Sequence, residues 1–209
     1  MGKMSSGHHP ILLATRNEGK LREIQAILGD LPIAWRTLTA FPHIPDAVED
    51  GATFAANAAR KAIHYSQHSG LWALADDSGL EVDALGGEPG VHSARYAGDL
   101  ANDAANNAKL IDALRGIPDS QRTARFQCAL ALASGATIIA QAEGTVEGLI
   151  IDHPRGTNGF GYDPHFLVPS LSVTTAELPR EVKNARSHRG QALQRILPRL
   201  LKLCGIPMT

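Results

Sequence analysis

At 209 residues the chain has room for one sizeable domain, and 44 % hydrophobic residues suffice to bury a real core. Its 20 basic and 21 acidic side chains leave a formal charge of −1, which provides no global electrostatic footprint for a nucleic-acid polymer or an anionic membrane. No apolar run reaches the roughly 18 residues that a membrane span needs, and Cys128 and Cys204 stand far apart without metal-ligand spacing.

Met1 to His9 is small and polar, lacks the apolar stretch of a secretory signal, and reads as a disordered tail. A single domain is expected over 10–205, in a reduced cytoplasmic setting. Pro10 to Ala14 is a short apolar run, and Leu21, Ile24, Ile27 and Leu28 then repeat at helical spacing until Gly29-Asp30. That pattern is strand, tight loop, helix. Ile33 to Leu38 predicts a second strand, and Phe41 to Gly51, with two prolines and three acids, a loop. Thr53 to His68 predicts a helix with Phe54, Ala58, Ala62 and Tyr65 down one side.

Leu71 to Leu74 reads as a strand that ends at the acidic run Asp76-Asp77-Ser78-Gly79, followed by a glycine-rich loop over 85–90. Asn102 to Leu114 predicts a helix. Arg125 to Ala133 and Ala136 to Glu147 both alternate, and Ser134-Gly135 between them predicts an antiparallel hairpin with Cys128 as a small core residue. Phe166 to Val168 is a short strand, and Ala176 to Leu203 is mostly helical with Ser187 capping its last segment.

Four clusters carry chemistry. A strand ending in adjacent aspartates places acid at the carboxyl edge of a sheet, where open α/β folds bind ligands. Neighbouring carboxylates repel unless a cation or shared proton lies between them, and magnesium prefers one or two carboxylates with phosphate and water. The residues alone do not distinguish Asp76 from Asp77. Thr15-Arg16-Asn17-Glu18-Gly19-Lys20, between a strand and a helix amino-terminus, offers backbone amides, a hydroxyl, an amide and a lysine to a polyphosphate, although it is not a P-loop. Phe160-Gly161-Tyr162-Asp163 sets two aromatics and an acid among glycines, a surface on which a purine can stack. Lys183, His188 and Arg189 flank the predicted start of the last helix, whereas Arg195 and Arg199 read as a solvated face. The acids thus lie mid-chain and the bases near the ends, a separation that suits a metal-bound triphosphate.

In this order, the stretches LLATRNEGKLREI, ALADDSGLEVDALGGEPGVHSARYAG, GFGYDPHF and SHRGQAL closely resemble the Ham1-like family of inosine triphosphate pyrophosphatases, also called XTP/dITP diphosphatases. The resemblance runs from about Ile11 to Leu201. It implies an elongated two-lobed α/β fold around a mixed sheet, with the site in the cleft, usually as a homodimer. It further implies that Thr15 to Lys20 bind the triphosphate and that Asp77 is the catalytic carboxylate and a Mg2+ ligand. Glu49 would be the second metal-coordinating acid, and Ser78 would touch substrate. Phe160 to Asp163 with Lys183, His188 and Arg189 would form the nucleoside pocket. One departure is that Ala56, rather than an acid, precedes Asn57, which weakens any metal role for that helix.

The implied reaction is Mg2+-dependent cleavage of deaminated purine nucleoside triphosphates (ITP, dITP, XTP) to monophosphate and pyrophosphate. No serine has a partnered His-Asp context and neither cysteine has a basic neighbour, so no covalent nucleophile is expected. A Maf-like pyrophosphatase acting on modified nucleotides and a non-catalytic nucleotide sensor are the rival readings. Ser187-His188-Arg189 argues against the first, and the intact acidic cluster against the second.

Overall fold

The computed structural model describes residues 10–98, 100 and 102–207. The amino-terminal segment expected to be a disordered tail lies outside the described residues. Seven strands form one mixed sheet in the order β2-β1-β3-β4-β5-β6-β7. Strands β1 (Ile11–Leu13), β2 (Trp35–Thr37) and β3 (Trp72–Val82) run parallel. Strands β4 (Thr123–Ser134), β5 (Thr137–Ile150), β6 (Phe166–Val168) and β7 (Val173–Thr174) continue the sheet antiparallel.

Helices cover both faces. In α1 (Glu18–Leu28) the apolar repeat turns Ile24 and Leu28 inward. In α2 (Phe54–Ser69) the expected stripe of Phe54, Ala58, Ala62 and Tyr65 is buried, and Thr53 caps the helix by accepting from the Ala56 amide at 3.1 Å. The hairpin turns at Gly135 as expected, with Ser134 opposite Thr137. The carboxyl-terminal region becomes helical only at Arg180 and breaks once. Helix α4 (Arg180–Arg186) ends at Ser187, whose hydroxyl caps α5 (His188–Leu203) by accepting from Gly190 N at 3.0 Å.

One expectation is corrected at β3. The strand does not end at the aspartates but passes through them, with Asp76 opposite Leu130 and Asp77 opposite Ala129 on β4. The ladder joins backbone groups, so two charged side chains do not interrupt it. Strand β1 stops opposite Leu74, and the chain then leaves as the loop into α1. The acids therefore still sit at a carboxyl edge, that of β1. Even-numbered residues of β3 and β4 join a core with α1 and α5 (Leu74, Cys128, Leu130, Ile196), and odd-numbered ones a core with α2 (Ala73, Ala75, Ala129, Ala131). A third cluster of Leu80, Phe126, Tyr162 and Phe166 packs beside α3 (Asp103–Ala113) at the far end of the long strands.

Arg195 and Arg199 stay exposed, yet they are more than a solvated face. Gln191, Arg195 and Arg199, one turn apart on α5, donate to the carbonyls of Thr145, Glu143 and Ile139 along the outer edge of β5.

Candidate active site

Successive side chains of a strand point to opposite faces, and this separates the two aspartates. Asp76 is buried on the α1/α5 face. Its Oδ1 lies 2.8 Å from Lys20 Nζ and accepts from the Ser78 hydroxyl at 2.9 Å, while Oδ2 accepts from Arg189 Nε at 2.8 Å and from the Cys128 thiol at 3.1 Å. Burial alone would push the Asp76 carboxyl up, but Arg189 and Lys20 hold it well below the usual carboxylate range. Asp76 is an ionised anchor with no spare oxygen.

Asp77 faces α2 and opens into a cavity of about 260 Å³ lined also by Thr15, Arg16, Asn17, Lys20, Glu49, Lys61, Ser78 and Arg95. Lys61 Nζ lies 2.8 Å from Asp77 Oδ1 and 3.1 Å from Glu49 Oε2. Asp77 Oδ2 is buried and has no hydrogen-bond partner among the described residues. Burial pushes the Asp77 carboxyl up, offset only in part by Lys61 and Lys20. Burial opposes the charge on Lys61, but Asp77 and Glu49 outweigh it and raise its pKa. An orphaned carboxylate oxygen beside a second carboxylate fits a divalent cation. Among the described residues no three His, Cys, Asp or Glu side chains gather to hold a metal, so the protein would supply only these two acids. That donor set suits magnesium, which keeps waters and takes substrate oxygens.

The loop before α1 carries the expected phosphate donors, with divided roles. Asn17 caps α1, accepting from Lys20 N at 3.0 Å, and Thr15 Oγ1 accepts from Asn17 N at 3.2 Å. Arg16 turns to the 41–51 loop, donating to Asp46 Oδ1 at 2.5 Å and to the Ile44 carbonyl at 3.0 Å, and its side chain still borders the cavity. Glu18 points to solvent beside Arg22 and lines neither cavity of the site. Gly19 is required where it stands: a Cβ there would lie 2.6 Å from Phe160 Cδ1.

The first cavity continues, through Asn17, Lys20 and Ser78, into a second of about 280 Å³. This one is bordered by Phe160, Gly161, Tyr162, Asp163, Lys183, His188 and Arg189, so the predicted nucleoside residues do come together. The Phe160 ring lies below Lys183 Nζ at 5.2 Å and Arg189 Cζ at 5.8 Å. His188 stacks on Phe126 with centroids 4.9 Å apart. Burial and the neighbouring Arg189 depress its pKa well below the ordinary value, so the imidazole is neutral.

The acids and bases separated in sequence interleave in space as one buried chain: Lys20, Asp76, Arg189, Glu23, Lys183, Asp163. Glu23 Oε1 lies 2.8 Å from Lys183 Nζ, and its other oxygen holds Arg189. Burial raises the Glu23 carboxyl, but Arg189 and Lys183 outweigh it and keep it ionised. The chain ends where Asp163 Oδ2 accepts from the Phe160 amide at 2.8 Å. Three of the five N–H groups of Arg189 are taken, by Asp76, Glu23 and Ser78.

Glu23 and Lys61 were not singled out from sequence. Each left a trace: Lys61 interrupts the apolar stripe between Ala58 and Tyr65, and Glu23 adjoins Ile24 on the inward side of α1. Helix α2 thus contributes a lysine to the acids rather than a ligand.

Fold and site together define an α/β protein with a polyanion-sized cleft whose floor is a carboxylate beside bases. The chain belongs to the Ham1 family, whose model matches residues 11–199. A protein of Geobacter sulfurreducens named dITP/XTP pyrophosphatase is 55 % identical over 183 residues, spanning 88 % of this chain and 92 % of that one. One of the same name from Methylococcus capsulatus is 50 % identical over 197 residues, spanning 93 % and 98 %. The solved structure of a HAM1 protein from Coxiella burnetii superposes with a TM-score of 0.84 at 47 % identity, over 93 % of this chain and 99 % of that one.

Proposed function

We propose that the protein hydrolyses deaminated purine nucleoside triphosphates (dITP, ITP and XTP) to the monophosphate and pyrophosphate. The observation that carries this reading is the buried, unpartnered Oδ2 of Asp77, on a residue that lines the cavity the phosphate loop borders. A sensor needs donors for phosphate but has no use for an orphaned carboxylate. The relatives named dITP/XTP pyrophosphatase support the substrate class.

Lys20 and the amides at the start of α1 hold the phosphates. Asp77 orients the attacking water and takes its proton, a general-base contribution of about 10²–10⁴-fold. Lys61 keeps the Asp77 and Glu49 carboxylates side by side. Asp77 and Glu49 would hold Mg2+, which would supply charge neutralisation to the bound triphosphate.

The base enters the second cavity against Phe160. Lys183, the two N–H groups left on Arg189 and an imidazole N–H of His188 are donors there. They match the 6-oxo group of hypoxanthine or xanthine, whereas the 6-amino group of adenine leaves them unpaired at about 1–3 kcal/mol. Among the described residues no helix is long and apolar enough to cross a membrane. The family resemblance supports a homodimer, and the two free cysteines fit a reduced cytoplasmic setting. The test is the specificity constant for ITP against ATP and a modified pyrimidine triphosphate, with Mg2+ and with excess chelator. Mg2+-dependent preference for ITP is expected, and equal use of all three, or full activity in chelator, would overturn the reading.

A further inference from the structure

Gly161, between the two aromatics of the nucleoside loop, has both backbone groups gripped by the first turns of α3. Its N–H donates to Asp103 Oδ2 at 2.7 Å, and its carbonyl accepts from Asn107 Nδ2 at 2.9 Å. Asp103 and Asn107 are four residues apart, hence neighbours on one helix face. Gly161 has φ of +62°, a left-handed conformation that a side chain disfavours, and open space surrounds its Cβ position. Helix α3 therefore ties the Gly161 turn by hydrogen bonds to its backbone rather than by packing around its Cα. On either side, Phe160 rests on Gly19, and the Tyr162 hydroxyl donates to the Ser93 carbonyl at 2.8 Å.

We propose that Asp103 and Asn107 are positioning residues for binding of the base. By fixing the peptide planes on both sides of Gly161 they set the position of Phe160 against Lys183 and His188, and with it the gap that admits the base. The proposal rests on the nucleotide reading above. It differs from that reading in assigning a role in binding to residues of α3 that hold no phosphate, metal or proton. Asp103 also borders the cavity, so the clamp closes the pocket directly as well as through the loop.

The test uses Asp103→Ala, Asp103→Asn, Asn107→Ala and Asn107→Asp in the full chain. A charge-assisted bond lost here is expected to raise KM for ITP about tenfold in Asp103→Ala, with kcat within about twofold and the melting temperature little changed. Asp103→Asn keeps an oxygen that accepts from Gly161 N and should recover most of the loss. Asn107→Asp sets a carboxylate against the Gly161 carbonyl and should be worse than Asn107→Ala. Binding of inosine monophosphate should weaken in step with KM, while binding of inorganic pyrophosphate stays at the wild-type value. Wild-type KM in both alanine variants, equal loss of monophosphate and pyrophosphate binding, or a fall in kcat alone would overturn the clamp. If Asp103→Ala does not fold, Asn107→Ala and Asn107→Asp decide, and wild-type KM in both would overturn the clamp. Wild-type protein that binds inosine monophosphate but does not hydrolyse ITP would instead sink the functional reading and leave the clamp measurable by binding.

Discussion

Asp76 and Asp77, adjacent on β3, face opposite sides of the sheet and do different work. Asp76 is sealed among Lys20, Arg189, Ser78 and Cys128, whereas Asp77 lines the cavity shared with Glu49 and Lys61 and keeps one buried oxygen without a hydrogen-bond partner among the described residues. Asp77→Asn should therefore keep the fold and melting temperature while losing about 10²–10⁴-fold in kcat. Asp76→Asn should lower stability by about 3–5 kcal/mol, because Arg189 loses one of its two buried counter-charges and Lys20 loses its own. Measuring kcat and urea midpoints for both variants checks this, and the reverse pattern would exchange their roles.

Lys61→Met tests the lysine between the acids. Lys61 is the largest influence opposing the upward push of burial on Asp77. Without it, the Asp77 carboxyl titrates at higher pH and Glu49 repels it unscreened. The acid limb of the kcat profile, set by the form of Asp77 able to take a proton, should move to higher pH. An acid limb that stays in place would remove Lys61 from this role.

Gly19→Ala should disturb base binding although the residue lies in the phosphate loop. The new methyl would lie 2.6 Å from the Phe160 ring, so the ring must move. Overpacking of this kind costs about 1–3 kcal/mol. KM for ITP should rise by roughly tenfold, with pyrophosphate binding nearly unchanged. Unchanged KM would mean that Phe160 does not need this seat.

Stability should fall early on acidification. His188 is neutral in the fold, with a pKa well below its ordinary 6.5, so the unfolded chain takes up a proton first. Its contribution is full above pH 6.5 and is lost as the pH falls towards the folded value. Asp76 and Glu23, held below their ordinary 3.8 and 4.5, contribute above those values and lose their share as the pH falls further. Melting temperatures from pH 8 to pH 3 should decline from about pH 6.5 downward and steepen below pH 4.5. A flat profile to pH 4 would contradict a buried neutral His188.

Much of this was legible in the sequence because it is written in local periodicity. The alternation at Phe126, Cys128, Leu130 and Leu132 predicts β4, and the stripe from Phe54 to Tyr65 predicts α2. Grouping the acids, the phosphate loop and the aromatic loop needed the family resemblance, since they lie on different elements. The full course of β3 is not legible because a charged pair resembles a strand end, whereas the backbone ladder to β4 is indifferent to it. Glu23 and Lys61 escaped notice because their meaning depends on partners over 150 residues away in one case and across a loop in the other. The distinction between Asp76 and Asp77 becomes visible once the strand is known to continue.

The most direct test of the account is to identify the products of ITP hydrolysis by the wild-type protein with Mg2+. Inosine monophosphate and pyrophosphate should appear together, one for one, with ATP turned over far more slowly. Inosine diphosphate with orthophosphate would place the cleaved bond elsewhere and contradict the central claim.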